Sequence, residues 1–185
     1  SDISGDSEGI TPIPTTLNSS GCDMDKIDQM GIDYPDFLKH QFEIIHAYSE
    51  LGIDSILSCT PYDSGIELAE GIGSWAESNA VCFSNSYTSL ITNRESGLSA
   101  LATALTGWAP LWGLHIEENR RPNILVTIEA DMGDTADWSV LGDWIGKQIR
   151  PEWNMPWGMM PHIVGLPENN DFDMRKALTA AAANY

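Results

Sequence analysis

Ile124-Leu125-Val126-Thr127-Ile128, followed after a polar interval by Asp134-Thr135, is the stretch on which the fold class turns. Its apolar, β-branched run predicts a strand, of a kind suited to a sheet covered on both faces. Asp134 or Thr135 then opens a helix, with Trp138, Leu141, Trp144 and Ile145 at helical spacing. Residues 151–161 hold three prolines, two tryptophans and three methionines and read as an irregular, apolar loop. His162 to Gly165 predicts a second short strand. Asp171 opens a last helix that runs through Met174 and Leu178 into the alanines.

Toward the N-terminus, Ser96 to Thr106 predicts a helix of small apolar residues, with Gly107 placed just past its end. Helical spacing continues weakly over 74–83, and 65–73 reads as a loop. Asp54 to Ser58 is strand-like and ends on Cys59-Thr60-Pro61-Tyr62, where Pro61 biases Thr60 toward extended geometry. Pro35 to Leu51 predicts a helix with Leu38, Phe42, Ile45 and Ser49 on one stripe and Gly52 as its stop. Residues 1–12 read as a flexible acidic arm, leaving 13–185 as the folded part. Strands alternate with helices, so the class is α/β.

The 185 residues carry 27 Asp and Glu against 9 Lys and Arg, a formal charge of −18. Such a surface repels phosphate backbones and anionic lipid, which argues against nucleic-acid and membrane partners. An apolar content of 42% argues against disorder. No apolar run is long enough to span a bilayer. Cys22, Cys59 and Cys82 are widely spaced with no CxxC pair, which suits reduced thiols in a cytoplasmic setting.

The densest polar constellation runs from Glu77 to Glu95. Arg94 supplies a planar fork for a carboxylate or phosphate, just ahead of the Ser96 helix, whose first amides favour an anion. The competing reading has Asn93 capping a helix and Arg94 paired with a surface acid. Thr15-Thr16-Leu17-Asn18 is a second polar loop, equally suited to a plain turn. Arg120 and Arg121 could pair with Glu117 and Glu118. Cys59 lies where a strand meets a loop, although lone cysteines often serve as small packing groups. His40 and His46 are six apart on different faces of one predicted helix, His115 and His162 are isolated, and no metal motif is formed.

Several of these segments together resemble the aconitase X family. They are Pro14-Thr15-Thr16-Leu17-Asn18, Ser58-Cys59-Thr60-Pro61-Tyr62, Trp75-Ala76-Glu77-Ser78-Asn79-Ala80-Val81, Phe83-Ser84-Asn85-Ser86, Thr92-Asn93-Arg94-Glu95-Ser96-Gly97 and Glu118-Asn119-Arg120-Arg121-Pro122. The resemblance implies a three-layer α/β/α aconitase-like domain, incomplete in this chain. It also implies a dehydratase acting on a small anionic hydroxy acid, either mevalonate 5-phosphate or cis-3-hydroxy-L-proline. An iron–sulfur cluster or iron held by cysteines is expected, with Cys59 as its ligand here. Glu77 and Ser78 are the catalytic candidates, Glu77 as acid, base or orienting group. Thr16, Asn18, Asn79, Asn85, Ser86, Thr92, Asn93 and Arg94 are the substrate-binding candidates.

The chain also departs from the family. Cys22 and Cys82 do not match the further cluster cysteines, and no match to the family's swivelling small domain is found. The expectation is the N-terminal half of a large subunit. It would need the remaining half and a swivel-domain small subunit to complete a site. Two alternatives stay open. One is a non-catalytic subunit that binds a partner. The other is a small-molecule binding protein that uses Arg94 without iron.

Overall fold

The structure is a computed structural model and describes residues 10–31, 35–149 and 159–185. In chain order its elements are α1 (Pro35–Glu50), β1 (Gly71–Trp75), α2 (Ser78–Tyr87), β2 (Leu90–Arg94), α3 (Gly97–Thr106), β3 (Ile124–Thr127), α4 (Thr135–Ile149), β4 (Pro161–Val164) and α5 (Phe172–Ala182). Short 3-10 turns lie at Ile27–Gln29, Pro61–Asp63, Gly113–His115 and Glu117–Arg120. Helices and parallel strands alternate, as the α/β class requires. The chain divides into two compact units, Ser1–Glu67 with Gly97–Trp108, and Leu68–Ser96 with Ala109–Tyr185. None of the described helices is long and apolar enough to cross a membrane.

In the first unit, α1 half-buries Leu38, Gln41, Ile45 and Tyr48. Phe42 is 54% exposed, so the stripe predicted through Phe42 and Ser49 is turned by one residue on that helix. Gln41 rather than Phe42 faces inward because its side-chain oxygen accepts from the Gly21 amide at 2.8 Å. α3 ends as predicted: Gly107, at φ +73°, donates to the Thr103 carbonyl at 2.8 Å. The strand predicted over 54–58 does not form. Thr16 and Asp54 make a single parallel bridge. Beyond it Ile56 folds back onto the Asp54 carbonyl, and Leu57 takes a left-handed φ of +54°. Two local turns of that kind cannot continue a ladder.

The second unit holds two parallel strand pairs, each joined through a helix. β1 pairs with β2 in register from Gly71↔Leu90 to Trp75↔Arg94, with α2 between them. β3 pairs with β4 from Ile124↔Pro161 to Thr127↔Val164, and α4 lies between them in sequence. The core gathers Ala80, Val81 and Phe83 of α2, Val126 of β3, Trp138 and Ile145 of α4, and Leu178 of α5. Phe83 meets Phe172 edge-on at 5.6 Å between ring centroids, which ties α2 to α5.

β3, α4, β4 and α5 fall where the sequence puts them. Two corrections and one addition follow elsewhere. Gly71 to Gly73 belongs to β1 rather than a loop. The helix expected from Ser74 starts only at Ser78, capped by the Glu77 side chain on the Asn79 amide. Leu90–Arg94 adds a strand where the sequence reading assigns no element. Among the described residues β3 is buried on one face only: Val126 is buried while Leu125 is 65% exposed. The predicted loop at 151–161 lies largely outside the described residues, as does most of the N-terminal arm.

Candidate functional site

In the second unit, β1 and β2 run parallel, so their C-terminal ends lie side by side. Trp75 stands opposite Arg94 there, and the Glu95 amide closes the edge by donating to the Trp75 carbonyl at 2.8 Å. Glu77 follows β1 directly. Its carboxylate caps α2, accepting from the Asn79 amide at 3.3 Å and from the Ser78 hydroxyl at 3.4 Å. Arg94 ends β2 and is exposed, as is Ser86 on α2. Glu77, Ser78, Asn79 and Arg94 thus share the end of one sheet where α/β folds place ligands.

Three other candidates are used by the backbone around that edge. The Asn85 amide donates to the carbonyls of Val81 at 2.9 Å and Thr92 at 2.8 Å, and its oxygen accepts from the Thr92 amide at 3.2 Å. The fully buried Thr92 hydroxyl accepts from the Trp75 amide at 3.1 Å and donates to the Asn93 carbonyl at 2.8 Å. Asn93, 5% exposed, accepts from the Leu114 amide at 2.6 Å and donates to the Trp112 carbonyl at 3.1 Å. The residue types alone do not separate the two roles, because the asparagine and threonine groups that can bind a substrate also satisfy main chain.

The segment after Pro110 completes this arrangement. Gly113, at φ +59°, lies so close that a Cβ there would stand 2.5 Å from Asn93 Oδ1. Only glycine admits both the backbone conformation and the contact. Asn119 donates to the Gly113 carbonyl at 2.9 Å, and Arg120 to the Leu114 carbonyl at 2.7 Å. Arg120 therefore stitches its own loop, whereas Arg121 is exposed. His115, read from the sequence as isolated, is buried in this network. Its Nδ1 lies 2.8 Å from the Pro110 carbonyl and 3.3 Å from Asn93 Nδ2, and its Nε2 lies 3.1 Å from the Gly73 carbonyl. The available signal was its position just ahead of the Glu118-Asn119-Arg120 motif.

The first unit brings its own candidates together. Leu17 donates to the Asp54 carbonyl at 2.8 Å and accepts from Leu57 at 3.0 Å, which lays the Thr16–Asn18 loop beside the Cys59 segment. Thr16 is half-buried. Asn18 is exposed, and its side chain accepts from the Ser19 amide at 2.6 Å. Cys59 is exposed, with its sulfur 3.4 Å from Ser19 Oγ. Cys22 is buried beside Met24, and Cys82 is half-buried with its thiol pushed up to about 11, mainly by burial.

An iron–sulfur cluster needs several thiolates around one centre. Among the described residues no group of three or more His, Cys, Asp or Glu could hold a metal ion. The residues present offer one accessible thiol, at Cys59, and do not by themselves fit such a centre.

The model of the aconitase X first domain matches residues 5–118. The large subunit of phosphomevalonate dehydratase from Methanosarcina mazei is 36% identical over 180 residues, covering 96% of this chain and 43% of that protein. Cis-3-hydroxy-L-proline dehydratase from Pseudomonas aeruginosa is 35% identical over 175 residues, covering 91% of this chain and 28% of that protein. The crystal structure of Thermococcus kodakaraensis aconitase X in its holo-form superposes with a TM-score of 0.74 at 34% identity, over 93% of this chain and 40% of that one. The chain thus spans less than half the length of these relatives. Its strands and helices are those of an aconitase-like α/β fold, and the chain belongs to the aconitase X family.

Proposed function

We propose that the chain forms part of a hydro-lyase that removes water from a small anionic hydroxy acid of the mevalonate 5-phosphate type. The observation that carries this reading is the juxtaposition of Arg94 and Glu77 at the C-terminal ends of β1 and β2. The exposed Arg94 guanidinium offers parallel donors to a carboxylate or phosphate. The Glu77 carboxylate can accept the proton from the carbon beside the hydroxyl-bearing one, and Ser78 orients it. Asn85, Thr92 and Asn93 contribute by fixing the strand ends, and Asn79 and Ser86 supply polar groups on α2. Within the first unit taken by itself, Thr16 and Asn18 are proposed as polar contact groups and Cys59 as one metal ligand. The other ligands of an iron or iron–sulfur centre are proposed to come from residues outside the given sequence, with a swivel-domain small subunit as partner and a cytoplasmic location.

The names of the relatives favour mevalonate 5-phosphate over cis-3-hydroxy-L-proline as first substrate to test. The chain would be assembled with the remaining large-subunit segment and the small subunit of a phosphomevalonate dehydratase. Binding is then followed by calorimetry and product by NMR. The expected result is binding and dehydration of mevalonate 5-phosphate, both lost in Arg94→Ala. An assembly that forms yet neither binds nor dehydrates either acid overturns the enzyme reading. It would leave the partner-binding one, which the exposed Ile72 and Leu125 on parallel strands favour.

A further inference from the structure

His115 stands between two main-chain carbonyls that can only accept. Pro110 O faces Nδ1 at 2.8 Å and Gly73 O faces Nε2 at 3.1 Å. A carbonyl oxygen accepts only, so each is satisfied where a ring N–H faces it, and the Asn93 Nδ2 donor also lies 3.3 Å from Nδ1. The ring is 7% exposed, so water does not readily substitute for it. One of its partners belongs to the middle of β1. The other belongs to the loop whose later amide and carbonyl grip Asn93 of β2. Asn93 immediately precedes Arg94. Gly73 lies four residues before Glu77, across a strand whose last amide is held by Thr92. The loop itself is tied down by Asn119 and Arg120.

We propose that His115 is a positioning residue: with Asn93 it clamps β1 and β2 to the 110–115 loop and so fixes the strand ends that present Glu77 and Arg94. This rests on the reading of that edge as the substrate site. The clamp itself can be measured without substrate. A buried ring that only filled space would be replaced well by another apolar side chain. A clamp needs a donor at the Gly73 carbonyl.

The test uses the full 185-residue chain, with amide hydrogen exchange and mevalonate 5-phosphate titration on each variant. His115→Leu is expected to speed exchange at the Trp75 and Glu95 amides about tenfold and weaken mevalonate 5-phosphate about tenfold, because small misplacements of binding groups are costly. Exchange at Ile145 and Leu178, in α4 and α5, should not change. His115→Gln restores a donor toward Gly73 and should return both readouts to within about threefold of the starting protein. Should the leucine variant not fold, His115→Asn keeps a donor toward Pro110 alone and should loosen Trp75 selectively. Unchanged exchange at Trp75 and Glu95 in the leucine or asparagine variant overturns the proposal. So does a glutamine variant that folds without recovering. If the unsubstituted chain alone binds no mevalonate 5-phosphate, the titration is made in the assembly with the remaining large-subunit segment and small subunit; an assembly that does not bind ends the substrate reading, and the exchange data alone then decide the clamp.

Discussion

Cys82 lies on α2 with its thiol raised from 9.0 to about 11, burial being the main cause and a hydrogen bond with Ser86 offsetting part of it. Below pH 9 both folded and unfolded chains keep this proton, and it does not alter stability. Between pH 9 and 11 the unfolded chain releases the proton while the folded chain retains it, so stability falls as pH rises. Cys82→Ala should remove that part of the alkaline loss in a series of thermal melts. The same burial protects the sulfur. A thiol reagent at pH 8 should modify the exposed Cys59 at least about a hundredfold faster than Cys82, with Cys82 reacting fully only on unfolding. Gly113 is the other residue whose surroundings fix its identity. Gly113→Ala forces a side chain into Asn93 and a strained φ, and should cost about 2–4 kcal/mol. The expected signature is a lowered urea midpoint at an unchanged slope.

α4 packs on α5 through glycines one helical turn apart. A Cβ at Gly146 would stand 2.6 Å from the Ala182 carbonyl, and one at Gly142 would overlap the Leu178 carbonyl. Helix propensity alone favours alanine over glycine by about 1 kcal/mol. Here the added methyl meets backbone, which cannot rotate away, so the helices must separate around the buried Trp138 and Ile145. Gly142→Ala should therefore destabilise by about 2–4 kcal/mol, and a stabilised variant would show that the two helices are not held this close. These elements were legible in the sequence because their periodicity is local: Trp138 and Ile145 lie on one helical face, and Asp171 caps α5 on the Met174 amide. β1 and β2 were hidden because Gly71-Ile72-Gly73-Ser74-Trp75 lacks a β-branched run and Thr92-Asn93-Arg94 is polar. Their pairing depends on each other and on Asn85 and Thr92. The candidate site was half legible for the same reason. Arg94 and Glu77 announce themselves by charge. The role of His115 depends on the carbonyl of Gly73, which lies 42 residues earlier, and no spacing in the sequence could reveal it.

At the scale of the molecule, apolar exposure and charge pull in opposite directions. In the second unit Ile72, Leu125, Val140 and Trp144 are all more than half exposed. Val140 and Trp144 border a groove of about 390 Å³ that Val126, Ile128, Met132 and Leu141 also line. Parallel strands ordinarily carry cover on both faces, and surfaces of this kind attract one another in water. Against that stands a formal charge of −18 with few cations. Several of those cations are already engaged, Lys26 with Asp23, Lys39 with Glu43 and Lys147 with Asp143. Like-charge repulsion between molecules reaches about 10 Å in 0.1 M salt but only about 3 Å in 1 M, whereas apolar attraction does not weaken with sodium chloride. The purified chain should accordingly sediment as a monomer at low ionic strength and self-associate reversibly in 1 M sodium chloride. Leu125→Lys and Val140→Lys should each suppress that association without lowering the melting temperature by more than a few degrees, since both side chains are exposed. Association that is equally strong at low salt would show that charge is not what keeps the molecules apart. Association that survives both substitutions would place the contact on another face.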